Sequence, residues 1–143
     1  MDNNETRRGK TIFTQVLKQL KPFDYKNLIK KDLTENQRPF RTYFISEGGV
    51  DDGGLMRETF AEICKELVTD SLPVLAPTAN RSAGVGELRD CFVLNPNCGK
   101  GLYAEEEQEM LYFLGVLIGY AILSLQVMLI PMHPIFWKKV VGY

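Results

Sequence analysis

Apolar residues recur along this chain with the spacing of amphipathic helices. In Thr11–Leu20 they occupy positions 12, 13, 16, 17 and 20, which lie on one face of a helix. Tyr25–Leu33 and Leu55–Val68 show shorter stripes of the same kind. Pro22 separates the first two segments because its ring cannot continue a helix. The first half of the chain therefore predicts three helices.

The second half predicts one long helix and one short helix. The long one runs from Glu105 to about Met128, and the acids at its start suit the positive end of a helix dipole. The short one covers Ile135–Val141, with Pro134 in its first turn. Prolines at 131 and 134 end the long helix before the short one begins.

Two segments have the pattern of strands. In Pro39–Ser46, aromatic and β-branched residues alternate with other side chains, and Cys91–Leu94 is a shorter candidate. We expect these two segments to pair. Ser71–Glu87 is rich in Pro, Ala, Ser and Gly and reads as a loop, with a short extended piece at Leu72–Leu75. The predicted fold class is α+β, mainly α-helical, with a short strand pair.

Four glycines between positions 48 and 54 mark an unusual turn after the first strand candidate. The turn lacks the Lys-Ser/Thr of a phosphate-binding loop and the alternating acids of a calcium loop. We expect Asp51 or Asp52 to cap the following helix. Arg57 and Glu58, in the first turn of that helix, can tie it to the strand through charge-assisted hydrogen bonds.

The segment Met110–Ile130 contains no charged residue, and its length alone would allow a transmembrane helix. Gly115 and Gly119 also match the spacing at which membrane helices pack closely. Polar residues within the segment and glutamates just before it favour the buried central helix of a soluble fold. In that interpretation the two glycines let another element approach the helix backbone.

The residues with reactive side chains do not form a catalytic or metal-binding pattern. The chain has three cysteines and one histidine, with no paired spacing of Cys or His that would indicate zinc. Cys64 and Cys91 are predicted to be buried, and Cys98 to be the most exposed of the three. His133 has no nucleophile near it in sequence and is predicted to be structural or simply exposed. We expect no cofactor and no metal.

The segment from Phe44 to Phe60 resembles the turn-and-helix motif of HECT-type ubiquitin ligases, Glu-x-Gly-x-Asp-x-Gly-Gly-x-x-Arg-Glu. Three later segments resemble landmarks of the same family, in the same order: Leu94–Asn97, Phe113–Ile122 and Ile130–Lys139. Val116 departs from the pattern, since the family has a basic residue there. The motif residues that carry the resemblance are Glu47, Gly49, Asp51, Gly53, Gly54, Arg57, Glu58, Gly115, Gly119, Pro131, Pro134, Phe136 and Trp137.

The resemblance implies a helical lead-in at 1–38 and part of a HECT N-lobe at 39–143, with a long buried central helix. The family's C-lobe, with its thioester-forming cysteine, is expected beyond Tyr143, so the isolated chain is expected to be inactive. In the complete domain the partners are a ubiquitin-conjugating enzyme (E2), ubiquitin and a protein substrate that remains unknown. We expect a cytoplasmic location, with the nucleus left open, and neither nucleic acid nor membrane as partner.

A second interpretation stays open: a non-catalytic interaction module derived from a HECT domain. Phe136, Trp137, Val140 and Val141 would then form an adhesive apolar end that binds a ligase or one of its substrates.

Overall fold

The computed structural model describes residues 10–27, 42–43 and 54–143 of the chain. Tyr25–Asn27 form one turn of 3-10 helix. The helices are α1 (Ile12–Leu20), α2 (Gly54–Leu67), α3 (Ala79–Ala83), α4 (Ala104–Leu123) and α5 (Pro134–Val140), and the strands are β1 (Leu75–Pro77) and β2 (Phe92–Leu94). The predicted α+β class, dominated by helices, is confirmed.

The start of α1 is held by two different caps. The Thr11 hydroxyl accepts a hydrogen bond from the Thr14 backbone N–H at 3.2 Å, as an N-cap residue does. The Glu66 carboxylate, from the last turn of α2, accepts the N–H groups of Ile12 at 2.7 Å and Phe13 at 2.9 Å. A negative charge at a helix N-terminus also interacts favourably with the helix dipole. Glu66 therefore fixes α1 against α2.

The core lies where α1, α2 and α4 meet. Phe13 of α1 packs edge-on against Phe113 of α4 with ring centroids 5.5 Å apart. Phe60 of α2 stacks on Tyr120 of α4 at 5.9 Å. All four side chains are almost completely buried. Because α4 contributes to both contacts, it is the central element of the core, as the sequence predicted.

The two strands form an antiparallel pair in which Leu75 lies opposite Leu94 and Pro77 opposite Phe92. The predicted pairing of Cys91–Leu94 with Pro39–Ser46 is wrong for the described residues, because Thr42 and Tyr43 lie outside strands and β1 is the antiparallel partner. The remainder of 39–46 lies outside the described residues. The three-residue β1 was missed because a strand so short carries almost no alternation.

The long helix ends at Leu123, earlier than the predicted Met128. Ser124 donates its hydroxyl to the Tyr120 carbonyl at 2.7 Å, and the Gln126 N–H reaches back to the Ala121 carbonyl at 2.9 Å. Between them Leu125 has a φ of 55°, in the left-handed region. This is a Schellman-type helix end with leucine where glycine is usual. Sequence periodicity did not show the end because apolar residues continue beyond it.

The predicted helices at Leu55–Val68 and Ile135–Val141 are confirmed as α2 and α5, and Pro134 is the first residue of α5. The predicted helix at Tyr25–Leu33 begins as the 3-10 turn, and its residues from 28 onward lie outside the described residues. No helix within 10–27 or 54–143 combines the length and apolar character needed to cross a bilayer.

Replacing Glu66 by alanine should lower the free energy of unfolding by about 1–2 kcal/mol, because two N–H groups of α1 lose their acceptor. Urea denaturation followed by circular dichroism measures the change. Glu62→Ala, on the same helix, removes only an exposed ion pair with Lys65 and should change stability by less than about 0.5 kcal/mol. Equal effects of the two substitutions would show that the Glu66 cap does not stabilise the fold.

Candidate functional site: the framework around Phe92

Phe92, which lies two residues before the Leu94–Asn97 landmark, is bonded to the distant Ile130–Lys139 landmark. The Phe92 N–H donates to the Pro131 carbonyl at 2.8 Å, and the His133 N–H donates to the Phe92 carbonyl at 2.8 Å. These bonds form a parallel bridge between Phe92 and Met132. Phe92 is thus held by β1 on one side and by the segment leading into α5 on the other. The ring of Phe92 is buried, and the guanidinium of Arg81 lies 4.4 Å from its centroid.

The residue that joins β2 to the following turn is Asn95. Its side-chain amide donates to the Pro73 carbonyl at 2.8 Å, and its own N–H donates to the Val74 carbonyl at 3.0 Å. Its side-chain oxygen accepts the N–H of Asn97 at 3.0 Å, which closes an Asx turn. Asn95 therefore binds both the chain before β1 and the loop after β2, so the Leu94–Asn97 landmark has a structural role.

The loop after Asn97 is fastened to the first turns of α4. The Gly99 N–H donates to the Glu107 carboxylate at 2.9 Å, and the Gln108 side chain donates to the Gly99 carbonyl at 3.2 Å. Gly99 has a φ of 79°, and a Cβ placed there would lie 2.7 Å from Cγ of Gln108. Glycine is required on both counts. The loop thus sets where α4 begins relative to the sheet.

The Ile130–Lys139 landmark forms the approach to α5 and most of that helix. The Nδ1 atom of His133 accepts the Ile135 N–H at 3.2 Å, so the histidine caps the helix and is not placed as a catalytic base. Phe136 is half-buried against the core, and its ring meets that of Trp137 edge-on at 4.9 Å. Trp137 itself is 40% exposed. The landmark therefore anchors α5 to the core through the Phe136 ring and leaves the Trp137 ring partly exposed to solvent.

The two glycines of α4 do not share one environment. Gly115 is exposed, and among the residues that the structure describes a Cβ added there would meet no neighbouring atom within 4 Å. The expectation that Gly115 admits a closely packed element is therefore wrong, because this face of the helix is open. Gly119 is half-buried. Tyr112, one turn before Gly115, is also exposed at 64%.

The structure describes only some residues of the glycine-rich motif. Glu47, Gly49, Asp51 and Gly53 lie outside the described residues, so the expected cap from Asp51 or Asp52 remains a prediction. Gly54 is the first residue of α2. Arg57 and Glu58 are exposed, and neither side chain forms an ion pair with a residue that the structure describes. Their proposed tie to residues 39–46 is likewise still a prediction.

The cysteines are arranged for packing. Cys64 is buried as predicted, and burial raises the pKa of its thiol. Cys98 was predicted to be the most exposed of the three, but it is buried, with 8% of its surface exposed. Its thiol points at the Glu107 carbonyl oxygen, 3.6 Å away. The correction follows from the fastened loop, which turns Cys98 inward. Cys91 was also predicted to be buried, but it is only half-buried and lies just before β2 begins at Phe92. A reactive thiolate needs access to solvent, and both Cys64 and Cys98 are buried.

The ionisable residues that the structure describes do not assemble a reactive centre. Lys21 and Glu109 form an ion pair at 2.7 Å, which raises the pKa of the Lys21 ammonium. Burial raises the pKa of the nearby Tyr25 hydroxyl, and the charge of Glu109 adds to the effect. Within 10–27, 42–43 and 54–143, no three His, Cys, Asp or Glu side chains lie close enough together to hold a metal ion.

Sequence reasoning missed three residues that hold this framework: Glu66, Gly99 and His133. For His133 a signal was present, because the residue before a proline at the first helical position is the N-cap. Gly99 follows an Asn-Pro-Asn turn, which also favours a left-handed conformation. Glu66 gave no signal, since its partners lie more than fifty residues away in sequence.

The described part of the chain is a mainly helical region, and its similarity to known proteins relates it to HECT ubiquitin ligases. The chain is 31% identical over 133 residues to E3 ubiquitin-protein ligase HERC2 of Mus musculus, and equally identical to its Homo sapiens counterpart. It is 32% identical over 103 residues to Probable E3 ubiquitin-protein ligase HECTD4 of Homo sapiens.

The two HERC2 alignments each cover 93% of this chain and 3% of the relative. The HECTD4 alignment covers 72% of this chain and 2% of the relative. The chain thus spans only a few hundredths of the length of these relatives. No family model matches the chain. No solved structure matches it either. The similarity supports a HECT-related region.

Two glycine substitutions should change stability in opposite directions. Gly115→Ala should raise the free energy of unfolding by about 0.5–1 kcal/mol, because alanine favours a helix and its methyl group meets open space. Gly99→Ala should lower it by about 1–2 kcal/mol, because alanine disfavours the left-handed backbone. Thermal unfolding of both variants measures the effect, and a loss with Gly115→Ala would restore the close-packing interpretation.

Only Cys91 should react readily with a thiol reagent in the folded protein at neutral pH. Cys64 and Cys98 are buried, and the raised pKa of Cys64 further lowers its thiolate fraction. Mass spectrometry after a short pulse of iodoacetamide identifies the labelled residue, and Cys91→Ser is the control that should abolish early labelling. Rapid labelling of Cys98 before unfolding would contradict the buried position.

Proposed function

We propose that this chain is a scaffold region of the N-lobe of a HECT-type E3 ubiquitin-protein ligase. The observation that carries the proposal is the junction at Phe92, where the Ile130–Lys139 landmark is bonded to β2, the strand that leads into the Leu94–Asn97 landmark. Both landmarks were recognised from sequence as parts of one domain. Their contact in space, together with the similarity to three E3 ligases, supports that assignment.

In this proposal the complete domain accepts ubiquitin from an E2 as a cysteine thioester and passes it to a substrate lysine. The described part of this chain supplies position and not the nucleophile. Cys64 and Cys98 are enclosed, and Cys91 borders the strand whose backbone the framework holds. The contribution of the chain to transfer is therefore the fixed relation between α4, the sheet and α5.

The alternative, a non-catalytic interaction module, is favoured by one specific observation. On α5 and just after it, Trp137, Val140, Val141 and Tyr143 are 40%, 56%, 68% and 89% exposed. Such a surface suits contact with a second protein or with another region of the same ligase. The two functions differ in whether the region is needed for ubiquitin transfer.

A chimera decides between them. We expect human HERC2 to keep ubiquitin transfer when this chain replaces the segment that it matches. Activity should fall when the inserted chain carries Phe136→Asp, because a charge replaces a ring packed against the core. Transfer is measured as formation of ubiquitin conjugates with activating enzyme, E2 and ATP present. Activity no higher than with an unrelated helical insert would overturn the scaffold proposal.

The isolated chain should form no thioester with ubiquitin under the same conditions. A band that disappears on reduction would place the nucleophile within these residues, and Cys91→Ser would then test the most accessible thiol.

A further inference from the structure

A groove of about 540 Å³ runs between α2 and the segment that follows α4. Its volume lies in the range of binding pockets that are used by ligands and peptide side chains. One wall comes from α2 and the other from the chain between α4 and α5. The described residues that line it are Arg57, Ala61, Cys64, Lys65, Val68, Leu125, Gln126, Val127, Leu129 and Pro131.

The second wall has the two-residue period of an extended chain. Leu125, Val127 and Leu129 are 88%, 71% and 79% exposed, whereas Met128 is half-buried and Ile130 buried. The exposed side chains all line the groove. Three neighbouring aliphatic side chains at this exposure form an apolar row with nothing over it in the described part of the chain.

The backbone of this segment is also available. In the part of the chain that the structure describes, the N–H and C=O groups of Val127 and Met128 have no hydrogen-bond partner. The Gln126 N–H is used by the end of α4, and Pro131 is bonded to Phe92. An extended edge with free donors and acceptors accepts a further strand, as in β-augmentation.

Leu125 provides a separate indication that the row is used. It combines a left-handed backbone with a side chain that is 88% exposed. Glycine would fit this helix end better, because it has no Cβ to oppose a positive φ. The leucine side chain therefore adds strain to the fold and gains no packing from it. Strained residues of this kind concentrate where a ligand is bound.

The charge of the groove selects among occupants. The charged residues that line it in the described part are Arg57 and Lys65, both cations, and Lys65 is already paired with Glu62. The segment from 124 to 132 carries no charge. A second copy pairing through this segment would bring no acid to Arg57. An incoming strand with acidic side chains would do so.

We propose that this groove docks an extended segment of a partner protein in which aliphatic and acidic residues alternate. The backbone of the segment pairs with Val127, because the N–H and C=O groups of Met128 point to the opposite edge of the extended chain. Its aliphatic side chains lie against Leu125, Val127 and Leu129, and an acidic side chain meets Arg57. The site uses none of the aromatic side chains of α5.

The probe is a fluorescein-labelled nonapeptide of alternating valine and glutamate, and the control peptide has lysine in place of glutamate. Fluorescence anisotropy should show the glutamate peptide binding about tenfold more tightly or better. Arg57→Glu should reverse that preference. No binding of the glutamate peptide, or equal binding of both peptides, overturns the proposal.

Leu125→Gly separates binding from folding. It should raise the melting temperature, because the strain at a positive φ is relieved. It should also weaken binding of the glutamate peptide about tenfold. Leu102→Gly is the matched control, since Leu102 is 90% exposed and does not line the groove. It should leave binding unchanged. Equal losses in the two variants would contradict docking at Leu125.

Two measurements on the unliganded chain identify other occupants. Hydrogen exchange at the amide of Val127 should be fast and should slow when the glutamate peptide is added, whereas exchange at Met128, on the opposite edge, should change little. Slow exchange without peptide would mean that another part of this chain already covers the edge. Sedimentation should show a monomer, and a dimer that Val127→Asp dissociates would assign the groove to a second copy. Either result overturns the proposal.

Discussion

The pair of hydrogen bonds at Phe92 is the constraint on which the rest of the arrangement depends. Through its N–H and C=O, this residue holds the chain at Pro131 and His133, while its strand pairs with β1. Beyond that junction, the half-buried Phe136 packs α5 against the core. Backbone bonds of this kind also satisfy polar groups that the apolar surroundings of Phe92 would otherwise leave unpaired.

The same junction connects α5 with the extended segment that lines the groove. On one side it leads into α5, whose exposed Trp137 and neighbours suit a partner surface. On the other side it ends the extended segment that forms a wall of the groove. The segment between Ser124 and Pro131 is therefore fixed at both ends, by the Schellman-type turn and by the sheet. Fixed ends reduce the conformational entropy that binding a strand there would cost.

Most of the helical framework could be predicted from the sequence, because stripes of apolar residues mark α1, α2 and the start of α4 directly. The end of α4 could not, since the left-handed residue there is leucine and not glycine. The partner of β2 could not either, because pairing depends on tertiary contacts that three-residue strands do not reveal.

The candidate site was predictable in part. Its landmarks could be recognised by resemblance, but the acceptors that hold them could not. Cys98 was misplaced because sequence shows that a residue is in a loop and not which way the loop faces. Glu66 looked like one more surface acid until its carboxylate was found at the start of α1. Long-range hydrogen bonds of this type leave no local pattern in a sequence.

The bridge between Phe92 and Met132 also sets an order of events during synthesis. The two residues are some forty positions apart, and all of α4 lies between them. Until the residues that follow α4 have left the ribosome, β2 can pair with β1 but must leave its second edge open. Closing a loop of this size costs entropy that local helix formation does not. The emerging chain therefore carries an unpaired strand edge until Met132 is free to fold, and that interval is when chaperones would matter most.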